Sequence, residues 1–184
     1  MRIAALDQGT TSTRVLVVTE NGSADIQLSL RHQQHHPQPG WVEHDPLELL
    51  SNIERCLEAT GQVDAIGIAN QGESCLAWDA RTGEPLSAVI VWQDNRTSAQ
   101  IARLRSDGGE TLTLERAGLP LDPYFSASKL AWIVQNLPAA QNALKAGRLR
   151  LGTTDAYFLD RLTGVFATDV TTASRTSLMN LSTG

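Results

Sequence analysis

The sequence predicts an α/β fold on a mixed sheet that opens with an antiparallel three-strand meander and is flanked by helices. Three observations carry this. β-rich runs crowd the first thirty residues, a capped amphipathic segment from Asp45 leads into another apolar run, and the pattern after Arg96 is largely helical.

Ile3–Leu6 is a short apolar run of the kind that forms a buried strand. Thr13–Thr19 is a second strand, rich in β-branched residues, and Ile26–Leu30 alternates apolar and polar side chains. Asn21-Gly22 lies between these two strands. Both residues tolerate positive φ, so a type I′ hairpin turn is expected there. Asp45 is placed to cap a helix, Pro46 suits its first position and Glu48 completes a capping box. Leu50, Ile53 and Leu57 then share one face.

Val63–Ala69 reads as a buried strand. It is parallel to the first because a helix separates the two. Cys75–Asp79 and Ala88–Trp92 are two more strands around an Arg81–Pro85 turn. Helices follow over Thr97–Arg105, Leu112–Ala117, Ser126–Asn136 and Asp155–Leu162. Leu130, Ile133, Val134 and Leu137 form a core stripe, and Arg148 and Arg150 fall on a solvated face. There is no repeat, low-complexity tract or linker, so residues 1–184 are expected to form one domain.

Composition bounds the partners. The chain has 184 residues, 41% hydrophobic and 19% charged, as in ordinary globular domains. Its net charge of -5 gives no bulk reason to bind nucleic acid or an anionic membrane. Cys56 and Cys75 stand apart and form neither a disulfide framework nor a zinc site. The apolar run at the N-terminus is too short for a secretory or spanning segment, so a cytoplasmic location is expected. His32, His35, His36 and His44 lack partners at ligand spacing and are read as part of an exposed polar loop rather than a metal site.

The segment Leu6–Arg14, LDQGTTSTR, carries the most chemistry. Asp7 ends a strand, where its carboxylate can hold a metal or its waters. Gly9 admits a bulky anion close to the backbone, Thr10, Thr11 and Ser12 add hydroxyl donors, and Arg14 adds a forked cation. Together they suit a magnesium-nucleotide. The same residues also fit a plain polar hairpin turn, and local chemistry alone leaves both readings open. The segment is neither a GxxxxGK[ST] loop nor a GxGxxG fingerprint.

LDQGTTSTR resembles the first phosphate motif of the FGGY carbohydrate kinases, in the branch of the glycerol kinases. Four more stretches resemble that family in order: PGWVEHDP at Pro39–Pro46, IGIANQGES at Ile66–Ser74, AVIVWQDNRT at Ala88–Thr97 and LDPYFSASK at Leu121–Lys129. A fifth, TDVTTASRTSLMN at Thr168–Asn180, is similar to the family's TD-x-x-NASRT-x-L-x-N segment.

The resemblance implies a ribonuclease-H-like domain of the actin, Hsp70 and sugar-kinase ATPase type, with ATP and substrate in an interdomain cleft. It also implies transfer of the γ-phosphoryl group of ATP to a primary hydroxyl of glycerol or a related polyol or sugar. By the same resemblance Asp7 positions Mg²⁺, while Gly9, Thr10, Thr11, Ser12 and Arg14 meet the phosphates. Gln71, Gly72, Glu73, Trp92 and Tyr124 fall at polyol-site positions. Residues alone would make Trp92 and Tyr124 core aromatics and Glu73 a solvated acid.

The run Asn70-Gln71-Gly72-Glu73-Ser74 departs from the family's Asn-Gln-Arg-Glu-Thr. Losing that arginine either weakens glycerol binding or opens room for a longer polyol; the second is the working hypothesis, and a clear preference for glycerol over erythritol and pentitols would refute it. The family's general base, an aspartate in a Gly-Asp-Gln segment, falls past Gly184, as does the adenine-binding domain. The chain is therefore expected to be an incomplete N-terminal domain with little activity alone, and the full-length form is compatible with a homo-oligomer. An actin- or Hsp70-like nucleotide module and a non-catalytic kinase-derived binding domain are the competing readings.

Overall fold

The computed structural model describes residues Met1–Gly184. Where the sequence predicts one sheet, the chain carries two four-stranded sheets, and its contacts divide it into two compact units. Unit 1 comprises Met1–Gln34 and His44–Gln71; unit 2 comprises His35–Glu43 and Gly72–Gly184.

In unit 1 the strands β1 (Arg2–Gln8), β2 (Ser12–Thr19), β3 (Ala24–Arg31) and β5 (Ala65–Ala69) lie in the order β3-β2-β1-β5. The meander is antiparallel and β5 joins β1 in parallel, as expected. The pleat of β1 buries Ala4, Leu6 and Gln8 on one side, and β2 buries Thr13, Val15 and Val17. Helix α1 (Pro46–Ala59) covers that side with Leu49, Ile53 and Cys56, so its buried stripe runs one residue away from the predicted Leu50 and Leu57. Asp45 caps α1 by accepting from Leu47 N–H at 2.8 Å. Glu48 instead accepts from Gln33 N–H, which leaves the capping box open.

Two further expectations change. The hairpin after β2 is not a type I′ turn, since only Gly22 has positive φ (81°). Gly22 N–H donates to Thr19 O and Thr19 N–H to Ser23 O, the pattern of a type I turn closed by a left-handed glycine bulge. Strand β5 is exposed along its whole length because α1 packs mainly on β1, β2 and β3, with Ile66 52% and Ile68 37% exposed.

The second sheet, ordered β4-β7-β6-β8, belongs to unit 2 apart from His44, with β4 at Glu43–His44, β6 at Cys75–Asp79, β7 at Val89–Ile90 and β8 at Leu149–Thr153. Strand β7 is shorter than the predicted Ala88–Trp92. Strand β8 occupies a segment read as solvated: Arg148 pairs with Asp79 and Arg150 with Asp160, both at 2.5 Å. Helices α2 (Ser98–Ser106), α3 (Gly109–Ala117), α4 (Ser126–Asn136) and α6 (Thr154–Thr163) match expectation within a few residues. Helices α5 (Pro138–Lys145) and α7 (Val170–Ala173) were not predicted. Cys75, Ala77, Ile90, Leu130, Ile133 and Ala140 form the main core.

The Pro39–Glu43 stretch is held in unit 2 by a closed polar network. Asp94, fully buried, accepts from Val42 N–H (2.6 Å) and from Arg96 N–H, Nε and Nη2 (2.9, 2.9 and 2.8 Å). Arg96 also reaches Glu43 and lies 3.7 Å from the Trp41 ring centroid and 4.6 Å from that of Trp132. The PGWVE motif is thus an architectural strap whose buried charges are all paired.

Candidate functional site

Unit 1 presents the turn between β1 and β2. Gly9 N–H closes it on Ser12 O at 3.0 Å. Three successive carbonyls are engaged from within the unit: Gly9 O by Gln71 Nε2 (3.1 Å) and Gln8 Nε2 (2.8 Å), Thr10 O by His32 Nε2 (2.9 Å), and Thr11 O by His32 N–H (3.4 Å). These oxygens would repel an anion, and each is committed to a protein donor. Asp7 and Arg14 stand opposite each other in the β1–β2 register, on the sheet face away from α1. Their ion pair at 3.1 Å leaves both side chains 46% exposed. Ser12 faces Arg31 and Arg14 faces Ser29 across β2 and β3. Thr11, Ser12, Arg14, Ser29 and Arg31 consequently line one open cleft of about 530 Å³, with His32 and Gln34 at its edge. Arg31 was not singled out from the sequence; its signal is the pairing register, which places it beside Arg14 only once β3 is built.

The residues fit a magnesium-nucleotide. No group of three or more His, Cys, Asp or Glu side chains forms a metal cage, and Mg²⁺ typically needs only one or two carboxylates when phosphate oxygens complete its shell. Asp7, half exposed at the mouth of a hydroxyl- and arginine-lined turn, meets that requirement. Gly9 has no positive φ, and a Cβ there would make only ordinary contact, 3.4 Å from Ser12 O and 3.9 Å from Asp7 Oδ1. The fold itself does not demand glycine at this position.

The histidines depart from the expected exposed loop. His35 and His36 are exposed, but His32 and His44 are buried and meet edge-to-face at 4.7 Å. His44 Nδ1 lies 3.1 Å from Gln33 O. Burial lowers the pKa of both, that of His44 to about 4. They are neutral packing residues behind the turn, drawn inward because β3 ends and α1 begins beside it.

Unit 2 gathers a second cluster. Glu73, expected as a solvated acid on residue chemistry alone, is buried, and its carboxylate accepts from Arg175 Nε at 2.7 Å. The Trp92 and Tyr124 rings meet at 5.5 Å, and the Arg175 guanidinium lies 5.8 Å from Tyr124 and 5.2 Å from Phe125. The backbone is fixed by neighbours: Ser126 Oγ donates to Glu73 O (3.1 Å), Ser74 Oγ accepts from Trp92 N–H (3.1 Å), and Lys129 Nζ donates to Pro123 O and Tyr124 O (2.9 and 2.5 Å). Burial lowers the pKa of Lys129, whose ammonium is spent on those carbonyls. Gly72 is half-buried, and a Cβ on it would meet nothing within 4 Å.

The structure therefore brings Glu73, Trp92 and Tyr124 together in one unit and Asp7, Gly9, Thr10, Thr11, Ser12 and Arg14 in the other. Gln71, expected at the polyol site, has its amide on Gly9 O and Gln8 Oε1 (3.3 Å) and braces the turn. Sequence reasoning missed Arg175 and Lys129. Both lie inside motifs it had matched, yet nothing in those motifs shows what the charges touch.

Comparison with known proteins is consistent in kind. A model of the FGGY family of carbohydrate kinases, N-terminal domain, matches residues 2–184. The glycerol kinases of Rhodospirillum centenum and Methylobacterium nodulans are 47% identical over 191 and 192 residues, covering 98% and 99% of this chain. The chain spans only 38% of the length of either relative. Among solved structures, Plasmodium falciparum glycerol kinase with ADP superposes with a TM-score of 0.90 at 32% identity, covering 99% of this chain and 38% of that one. Gluconate kinase from Lactobacillus acidophilus gives 0.86 at 25%, covering 99% and 37%. The actin/Hsp70-like ATPase fold expected above is the fold of these sugar kinases.

Proposed function

The chain belongs to the FGGY family of carbohydrate kinases, and on that premise we propose that the intact protein transfers the γ-phosphoryl group of ATP to a primary hydroxyl of glycerol or a related polyol. Residues 1–184 are read as the N-terminal domain of that kinase, acting in the cytoplasm with Mg²⁺-ATP. No helix is long and apolar enough to cross a membrane.

The observation that carries the proposal is the cleft in unit 1 where two arginines and three hydroxyls converge beside a half-exposed aspartate. Bound ATP with its metal supplies the activated phosphoryl group. Asp7 holds the metal or its waters. Arg14 exchanges Asp7 for phosphate oxygens, and its fixed charge offsets negative charge on the group in transfer. Thr10, Thr11 and Ser12 donate to phosphate oxygens, while Gln71 and His32 keep the turn carbonyls turned to protein donors. In unit 2, Glu73 accepts from substrate hydroxyls, Tyr124 hydrogen-bonds, and Trp92 walls the carbon chain. Open space at Gly72 leaves room for a polyol longer than glycerol.

Gly9→Ala in the intact protein tests this reading. A methyl that the fold tolerates should raise the KM for ATP by about tenfold or more, since it removes at least one phosphate hydrogen bond. The KM for polyol should stay within about twofold, because the change leaves the polyol groups untouched. An unchanged KM for ATP, or no ATP-dependent phosphorylation of glycerol, erythritol or xylitol by the parent protein, would refute it.

A further inference from the structure

Glu73 is the one acid of the polyol cluster, and its carboxylate is already engaged. Arg175 approaches from 102 residues downstream and donates Nε to Oε1 at 2.7 Å; the ion pair is 41% exposed on the arginine side and 10% on the glutamate side. Several features fix the arginine there. Asp169 caps α7 through Thr171 and Thr172 N–H (2.6 and 2.9 Å), Arg175 N–H closes on Thr172 O (2.9 Å), and Ala127 N–H donates to Thr176 O (2.8 Å). The guanidinium spans the Tyr124 and Phe125 rings and interacts with the Tyr124 side chain.

A guanidinium that donates through Nε keeps its Nη groups for other acceptors. Acceptor and donor thus sit side by side at the rim of the cluster. This suits adjacent hydroxyls of a polyol, each of which both donates and accepts. At Gly72, the residue next to Glu73, no side chain fills the space.

We infer that Arg175 is a substrate-binding and positioning residue of the polyol site: it orients the Glu73 carboxylate and donates from Nη to a substrate hydroxyl, so that donor and acceptor engage a vicinal diol together. The inference rests on the kinase reading above. It assigns the donor function to a distant segment rather than to the residue preceding Glu73. A packing role alone predicts something different: Arg175 would hold α7 in place, and its loss would affect every ligand alike.

The test compares Arg175→Met, which keeps the stem over the rings, and Arg175→Lys, which keeps a charge, in the intact protein with glycerol, erythritol and xylitol. Loss of a charge-assisted hydrogen bond should raise the polyol KM by roughly 10–100-fold in R175M. The KM for ATP should stay within about twofold, because uniform ground-state binding is lost only for the polyol. R175K should fall between R175M and parent. Adding Gly72→Arg to R175M should recover at least about tenfold of the KM for glycerol, since the vacant space accepts a second guanidinium beside Glu73. Should R175M fail to fold, the R175K ratio of polyol to ATP KM decides the matter on its own. An unchanged polyol KM in a variant of an active parent, or polyol and ATP KM rising in equal proportion, overturns this inference and leaves the kinase reading standing. A parent that phosphorylates no polyol overturns both.

Discussion

The two units build their candidate sites in opposite ways. Unit 1 makes its site from one hairpin, with Asp7 and Arg14 paired across a single register step and both half exposed. Unit 2 draws Glu73, Trp92, Tyr124 and Arg175 from positions scattered over a hundred residues and keeps its strongest ion pairs out of solvent, with Arg96 2% and Asp94 0% exposed. Exposed pairs contribute little to stability and exchange partners readily, whereas breaking a buried pair strands a charge. The exposed pair of unit 1 is thus available to a ligand, and the buried network of unit 2 is committed to architecture.

This contrast orders the expected effects. Asp94→Ala leaves Arg96 buried without its main partner and should destabilise unit 2 by about 3–5 kcal/mol, read as a fall in the denaturation midpoint. A loss below about 1 kcal/mol would erase the difference between the units. Asp7→Ala should lower kcat by about 10²–10³-fold, equivalent to roughly 3–4 kcal/mol of transition-state stabilisation. Steady-state rates of a variant with unchanged far-UV dichroism check this, and a modest drop would return the turn to the status of a polar hairpin.

The histidine pair gives a pH test of unit 1. Burial holds the pKa of His44 at about 4, with His32 lowering it further and Glu48 opposing, while the unfolded residue stays near the ordinary value of 6.5. Between these values the unfolded chain binds more protons, so stability is complete above pH 6.5 and declines as pH falls toward 4. The His44 contribution at stake is about 3 kcal/mol. Hydrogen exchange of unit 1 amides at pH 7 and pH 4.5 should show it, and His44→Phe should flatten the profile. Smallest of all, Arg14→Ala should shift stability by less than about 1 kcal/mol while still raising the KM for ATP. A larger destabilisation would place Arg14 with the structural pairs.

Much of unit 1 was legible in the sequence because its signals are local. β1, β2, β3 and α1 follow from β-branched runs, a turn glycine and a capped helix start. The polar side chains of the β1–β2 turn were legible for the same reason, since they lie within Leu6–Arg14. Strand β8 escaped because Arg148 and Arg150 around Leu149 read as a solvated face, and only Asp79 and Asp160, both outside that run, explain arginines there. Arg175 escaped similarly, as its sequence neighbours are polar and give no sign of a buried glutamate 102 positions earlier. The division into two sheets was hidden too, since local pattern shows that a strand exists but not which strands it joins.

All four tryptophans and both tyrosines fall in unit 2, and unit 1 has no aromatic residue of any kind among Phe, Trp and Tyr. Intrinsic ultraviolet emission therefore reads unit 2 alone, and unit 1 is optically silent. Trp92, in ring contact with Tyr124, reports on that aromatic pair, whereas a fluorophore must be placed in the first meander before events at the β1–β2 turn become visible by light.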